Sequence, residues 1–422
     1  MDTLLRPRLD RDGLIARYRA NRARTAEIFG WLDPDVYERA PIALRHPFVF
    51  YDGHLPAFSF NTLVRNALRR PSIDRRLEDL FERGIDPSVA DDAGARGPIA
   101  WPSREAVHAF TGACDRAVLD ALATAAIDDP AVADLVDAQA AFTILEHESM
   151  HHETLLYIVH RLDAAQKRIP QHAHRDEPAP RAEPAAIAAG AATLGVRHGA
   201  IPFGWDNEYA EHAVDVPAFG IDVYDVTNGD YLAFVNAGGP PPPFWVRTGG
   251  AWQLRVLAGT IPLPLSWPVY TRQDHAAAFA AWSGARLPTE AEFHRAAYGT
   301  PAGHERPQPW GDAAPSADFG NFDFRRFDPE PVGSSPRGAS AWGVHDLVGN
   351  GWEWTATPFA PFDGFVPMAS YKPYSTDFFD GRHYVMKGAS PVTASALVRR
   401  SFRNWFYADY PYMYATFRRA YD

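Results

Sequence analysis

The sequence predicts an α+β protein in two parts, a helical bundle followed by a loop-rich domain, and three observations carry that prediction. Residues from about 10 to 162 are rich in Ala, Leu and Arg at helical spacing, as in Gly13-Leu14-Ile15-Ala16-Arg17-Tyr18-Arg19 and Ala133-Asp134-Leu135-Val136-Asp137. Residues 164–192 are crowded with Pro, Ala, His and charge, as in Arg175-Asp176-Glu177-Pro178-Ala179-Pro180-Arg181, which is the composition of a linker. From Leu194 onward the texture turns to Gly, Pro, Trp, Tyr and Phe in short apolar runs, the mark of an irregular α+β domain. The expected boundaries are 1–163 for the helical domain, 164–192 for the linker and 193–422 for the second domain.

Two histidines open the chemistry of the first part, in His46-Pro47-Phe48-Val49-Phe50-Tyr51-Asp52-Gly53-His54-Leu55-Pro56-Ala57-Phe58. His46 abuts Pro47, whose ring holds the preceding residue in extended backbone. His54 follows Gly53 and precedes an apolar run that reads as a buried helix, so His54 is the better ligand candidate; the alternative is an ordinary histidine bonded to a backbone carbonyl. Further on, Leu145-Glu146-His147-Glu148-Ser149-Met150-His151-His152-Glu153-Thr154-Leu155 places His147 and His151 four apart in a helical run. At that spacing both imidazoles leave one helix face and can grip a transition metal, given a third ligand from elsewhere. Glu153 points away from that face and is expected to support the site or the fold rather than to ligate. His152 and Glu148 form a second pair four apart on the neighbouring face, expected to be solvent-side or packed.

In the second part, helices are expected at Asn228-Gly229-Asp230-Tyr231-Leu232-Ala233-Phe234-Val235 and over residues 274–282. Around them stand turn-rich signatures: Arg286-Leu287-Pro288-Thr289-Glu290-Ala291-Glu292-Phe293, Pro309-Trp310-Gly311, Gly349-Asn350-Gly351-Trp352-Glu353-Trp354 and Ser401-Phe402-Arg403-Asn404-Trp405-Phe406. Taken singly, each reads as scaffold, a Gly-bounded turn with large aromatics folded over it.

Composition narrows the function. The chain has 422 residues, 46% hydrophobic, with a formal charge of −11, so it offers no basic field for nucleic acid. Met1-Asp2-Thr3-Leu4-Leu5-Arg6-Pro7-Arg8 runs into charge without an apolar stretch, so neither a signal peptide nor a membrane partner is expected, and a cytoplasmic location follows. The single cysteine, Cys114, excludes an intrachain disulfide and any cysteine-based zinc site.

In order, Val226-Thr227-Asn228, the Arg286–Glu292 run, Pro309-Trp310-Gly311, Gly349-Asn350-Gly351-Trp352-Glu353-Trp354 and Phe417-Arg418 resemble the formylglycine-generating-enzyme (C-type-lectin-like) fold. The front half, with His54, His147, His151 and Glu153, resembles a DinB-type helical bundle. Their fusion is similar to the ergothioneine-pathway sulfoxide synthases and the related ovothiol and selenoneine synthases. That resemblance implies nonheme Fe(II) held by His54, His147 and His151, and dioxygen used to join the chalcogen of a donor to the imidazole C2 of hercynine. Iron rather than zinc is implied, because zinc has no redox step with which to activate dioxygen.

Within the superfamily, formylglycine-generating enzymes use two cysteines near the C-terminus, and the lone Cys114 speaks against that activity. Ovothiol synthases carry a further methyltransferase domain, which is not expected in a chain that stops at Asp422. Gly388-Ala389-Ser390-Pro391-Val392-Thr393 replaces the usual Gly-Gly-Ser-Trp-Ala-Thr, and Met150 stands where Gln is common. Loss of that amide removes a hydrogen-bonding group beside the ligands. These departures favour the selenoneine synthases, with a selenosugar donor, over a thiol-using enzyme taking cysteine or γ-glutamylcysteine.

A trimethylammonium group has no proton to donate and is held best by aromatic faces. Asn404, Trp405, Phe406, Tyr407, Tyr410 and Tyr412 are therefore the expected hercynine contacts, with Arg403 offering its planar fork to the carboxylate. The family mechanism also calls for a proton-donating tyrosine, Tyr371 or Tyr374, between which the sequence does not choose. Two rivals stand beside this reading. One is a DinB-like thiol transferase with zinc in the same histidines, needing no oxygen; the other is a binding module whose histidines are structural. Oxygen consumption separates the first reading from both rivals.

Overall fold

The computed structural model describes residues 9–43, 45–82 and 100–422; Met1–Arg8, on which the expectation of no leader rests, lie outside the described residues. The chain forms two compact units, Met1–Arg168 with Ala369–Tyr371, and Ile169–Met368 with Lys372–Asp422. No helix among the described residues is long and apolar enough to cross a membrane.

The first unit is helical: α1 (Arg11–Gly30), α2 (Phe48–Ser59), α3 (Arg75–Phe81), α4 (Arg104–Thr124) and α5 (Gln139–His160). Local chemistry sets the starts. The Asp10 and Asp74 carboxylates and the Ser103 hydroxyl each accept a first-turn N–H, of Gly13, Leu77 and Ala106. α5 packs against α1 and α2, and it is buried nearly all round, which a helix at the centre of a bundle must be. His46 sits before Pro47 and ahead of the helix, outside any regular element. His54, by contrast, lies inside α2 rather than ahead of it; the helix starts at Phe48, accommodates Pro56, and widens into a π-helical stretch over Phe60–Ala67. The pair Glu148 and His152 faces α1, not solvent. Glu148 accepts from Arg22 Nη1 at 2.8 Å and Thr25 Oγ1 at 2.6 Å, and that hydroxyl lies 3.0 Å from His152 Nε2.

In the second unit come β1 (Ala185–Ile187), β2 (Gly190–Leu194), β3 (His212–Val216), β4 (Phe219–Ile221), α6 (Asn228–Asn236), β5 (Trp245–Thr248), β6 (Ala251–Val256) and β7 (Gly259–Pro262). They are followed by α7 (Gln273–Trp282), α8 (Glu290–Tyr298), β8 (Gly351–Pro358), β9 (His383–Ala389), β10 (Asn404–Tyr407), β11 (Ala415–Thr416) and β12 (Ala420–Tyr421). Short strands make sheets in the orders β1-β4-β12, β10-β9-β8-β11, β2-β3 and β5-β6-β7. Helices α6 and α7 fall where the sequence places them. α8 does not: turns are expected there, yet Thr289 and Glu292 cap each other's backbone in a reciprocal box that starts a helix.

The stretch read as a linker is also built into this unit. It supplies β1 and most of β2, and before them Asp176 accepts from the N–H and hydroxyl of Ser266 while Trp267 Nε1 donates to the Arg175 carbonyl. The unit boundary falls at Arg168 and Ile169. Ala-rich strands such as these carry almost no alternating hydrophobic signal, so composition alone hides them.

Most of the turn signatures are scaffold, as expected of each singly. Arg418 is wholly buried; its Nε and Nη2 form a two-pronged pair with Glu353 at 2.6 and 2.7 Å, and Nη2 reaches Asp225 at 3.1 Å. Nη1 donates to the carbonyls of Asp222 and Val223, and Nη2 also lies within reach of that of His345, so Phe417-Arg418 locks onto the Trp352-Glu353-Trp354 strand. Beside them Asp346 accepts from the Gly333 N–H at 2.6 Å, in left-handed backbone at φ 57°. Burial pushes its carboxyl up to about 6. The folded state then holds this proton where the unfolded chain has lost it, so stability falls as pH rises from the ordinary carboxylate range through about 6. Asp346→Asn is expected to remove that fall and to stabilise the protein at pH 7 by about 1–3 kcal/mol, since asparagine is neutral and accepts left-handed backbone. Urea titrations at pH 5 and 7 check it; a variant less stable than the parent at pH 7 would contradict it.

Candidate metal centre

Three histidines converge in the first unit. His54 on α2 and His147 and His151 on α5 bring one nitrogen each to within 4.8 Å of one another, and all three are buried. The Nε2 atoms of His147 and His151 are 3.1 Å apart, a separation that lets one ion sit about 2 Å from each. The His54 Nδ1–H donates to the Phe81 carbonyl at 2.7 Å, which fixes the tautomer and leaves the Nε2 lone pair facing inward with no hydrogen-bond partner. The buried Nδ1 atoms of His147 and His151 also have no partner.

Burial pulls the His54 imidazole down to about 4 and holds His147 and His151 well below the ordinary histidine range, with the neighbouring rings and Arg45 adding to the effect. All three are therefore neutral at pH 7, which is the form that ligates. Leaving the buried His54 Nε2 unsatisfied costs about 1–3 kcal/mol, and a cation at the point of convergence relieves that cost. The donor set thus fits a divalent transition ion, with room in its coordination shell for further ligands.

Aromatic rings wall the site. Phe50, His54 and Phe58 recur at intervals of four along α2; Phe50 stacks on His54 at 4.9 Å and Phe58 lies flat on His147 at 3.5 Å. The Tyr51 ring is 5.9 Å from His151. Sequence reasoning named only the histidine of this stripe, although the spacing of the two phenylalanines was there to be read. Gly53 has a role of its own. A Cβ there would meet the Phe81 ring at 2.3–2.5 Å, and Phe81 is the residue whose carbonyl orients His54. Gly53→Ala is expected to displace Phe81 and weaken metal binding by about 10- to 100-fold despite alanine's better helix propensity. Competition with a chelator measures it, and unchanged affinity would show that Phe81 is not needed to hold His54.

The two candidate tyrosines part company. Tyr371 belongs to the first unit, its ring edge-on to His147 at 6.1 Å and to Phe58 at 5.1 Å. Tyr374 belongs to the second, stacked on Trp205 at 3.9 Å and edge-on to Trp405 at 5.2 Å.

The expected hercynine contacts sort by strand alternation along β10. Trp405 stacks on Phe359 at 4.2 Å and Tyr407 lies tilted against His383 at 3.9 Å, while Phe406 stacks on Tyr410 at 4.7 Å, with Tyr412 edge-on to Tyr410 at 5.2 Å. Asn404 begins the strand and its Oδ1 accepts from the Trp405 N–H. Arg403 does not present an open fork. It is buried, its Nε and Nη2 grip Glu290 at 3.0 and 3.1 Å, and its Nη1 donates to the carbonyls of Ala360 and Asn207. Each nitrogen of the guanidinium is bonded within the fold, so a substrate carboxylate at Arg403 would have to displace one of these partners. The turn at residues 388–393 is likewise built into this unit: Gly388 is left-handed with Leu347 O 2.7 Å from where a Cβ would be, and Thr393 Oγ1 accepts from the Ser390 N–H.

Residues 171–422 match the family model described as the Sulfatase-modifying factor enzyme 1-like domain. A hercynine oxygenase of Mycolicibacterium thermoresistibile is 34% identical over 430 residues, covering 95% of this chain and 93% of that protein. The hercynine oxygenase of Mycobacterium tuberculosis is 36% identical over 354 residues, 77% of this chain and 79% of its own. Among solved structures, PvdO from Pseudomonas aeruginosa aligns with 56% of this chain and 93% of its own, at 22% identity and a TM-score of 0.44. On the family match and on these two oxygenases, the chain belongs to the hercynine oxygenase family, with a sulfatase-modifying-factor-like domain as its second unit.

Proposed function

We propose that this protein is an iron(II)- and dioxygen-dependent enzyme that joins a chalcogen to the imidazole C2 of hercynine. The observation that carries the reading is the trio of buried, neutral imidazoles with unclaimed nitrogens. His54, His147 and His151 would hold the iron, which supplies the electron transfer to dioxygen that zinc lacks. In the summed reaction the donor's chalcogen–hydrogen bond and the C2–H bond break and a carbon–chalcogen bond forms. One oxygen atom passes to the chalcogen and the other leaves as water.

Tyr371 is the proton donor in this reading, since its ring stands beside His147. Phe50 and Phe58 keep water from the histidines. The trimethylammonium of hercynine lies against aromatic faces drawn from Trp405, Phe406, Tyr407, Tyr410 and Tyr412, with Asn404 beside them as a hydrogen-bonding group. The substrate carboxylate is bound by a group other than Arg403, whose fork is committed to Glu290.

For the donor we infer a selenosugar. Met150, on α5 between the two ligands, supplies a soft, polarizable thioether suited to a soft chalcogen. Iron-loaded protein given hercynine with a selenosugar, cysteine or γ-glutamylcysteine, with products weighed by mass spectrometry, tests both levels. A selenium adduct is expected. A sulfur adduct alone would reassign the donor and keep the reaction, and no adduct with any donor would overturn the function.

A further inference from the structure

The stripe of α5 that carries His147 and His151 continues toward the helix start as Thr143 and Gln139, each four residues before the next, so all four side chains leave one face. The two upper positions hold a different segment. The hydroxyls of Thr143 and Ser370 are 2.9 Å apart, and the Ser370 N–H donates to Gln139 Oε1 at 3.4 Å. Ser370 immediately precedes Tyr371, the ring edge-on to His147. Thr143 is fully buried, so its hydroxyl has no water to turn to if the bond to Ser370 is lost.

The start of this helix is itself constrained. Asp137 and Ala138 are both left-handed, at φ 52° and 55°, and neither is a glycine. Two such residues in succession are disfavoured and persist only where the surroundings hold them. They set the chain's entry into α5 directly before Gln139.

We propose that Thr143 and Gln139 are positioning residues, which fix Tyr371 against the histidine pair by binding its neighbour Ser370 from the same helix face that carries the ligands. One rigid element then sets both the metal ligands and the height of the phenol above them. The proposal rests on the reading of Tyr371 as proton donor only for its effect on turnover; the placement of the ring is independent of that reading.

The test uses the full chain with 3-fluorotyrosine placed at position 371 and Co(II) in the histidine site. Proximity to the paramagnetic ion is expected to displace and broaden the fluorine resonance. Thr143→Val, which keeps the shape and loses the hydroxyl, is expected to move the resonance toward its diamagnetic position, and Thr143→Ser to restore it. With iron, Thr143→Val is expected to lower kcat by about 10- to 100-fold, with metal affinity and the KM for hercynine unchanged and with rescue by Thr143→Ser. An unchanged fluorine resonance in Thr143→Val would overturn the proposal. A displaced resonance with undiminished kcat would keep the positioning role and remove Tyr371 as proton donor. If Thr143→Val does not fold, Gln139→Ala carries the same fluorine comparison, with a change in the resonance expected and its absence contradicting the clamp.

Discussion

Replacing His147 or His151 by alanine is expected to remove stoichiometric iron and turnover together. Each ring supplies one of three converging nitrogens, and Glu148 is bound to Arg22 and Thr25 and so is not free to replace one. Even the groups that merely orient ligands cost about 10- to 100-fold in affinity when lost, so removing a ligand should cost more than about 100-fold. Metal analysis after anaerobic reconstitution and desalting checks it, with thermal unfolding as the control for folding. Stoichiometric iron retained in both variants would remove the ligand assignment.

The second large effect is on stability. Arg418→Met is expected to destabilise the protein by about 3–5 kcal/mol, because Glu353 and Asp225 would be left buried without their cation. Burial already holds both carboxyls above their ordinary range, with repulsion from Glu353 adding to it at Asp225 and from Asp346 at Glu353, and with Arg418 opposing it. Without the arginine they rise further, so the folded variant takes up protons that its unfolded chain does not hold. The deficit should therefore shrink as pH falls from 7 toward 5. Denaturant titrations of parent and variant at both pH values measure this; a deficit under about 1 kcal/mol at pH 7 would mean that the pair is not the clamp that its geometry suggests.

How much of this was legible in the sequence depended on how local the cause was. The spacing of His147 and His151, and the helices α6 and α7, follow from positions within a turn or two of each other, and they were read correctly. The start of α8 was equally local, since Thr289 and Glu292 spell a capping box, but Leu287-Pro288 next to it looked like a turn. Which of the two expected settings Glu148 and His152 take, solvent-side or packed, could not be read, because it depends on Arg22 and Thr25 arriving from α1. Arg403 is the clearest case of a non-local cause. Its fork reads as free until the chain folds Glu290, on a different element, against it. Tyr371 and Tyr374 are likewise indistinguishable in a run of four residues, and only the fold sends one to His147 and the other to Trp205.

Oxygen uptake tests the central claim most directly. Protein is stripped of metal, loaded anaerobically with iron(II) or zinc(II), and given hercynine with each donor in an oxygen electrode. Uptake by the iron form alone, dependent on hercynine and on one donor, is the result expected from three neutral histidines that hold a redox metal. No uptake despite bound iron, together with thiol transfer by the zinc form without oxygen, would contradict it and make the protein a transferase.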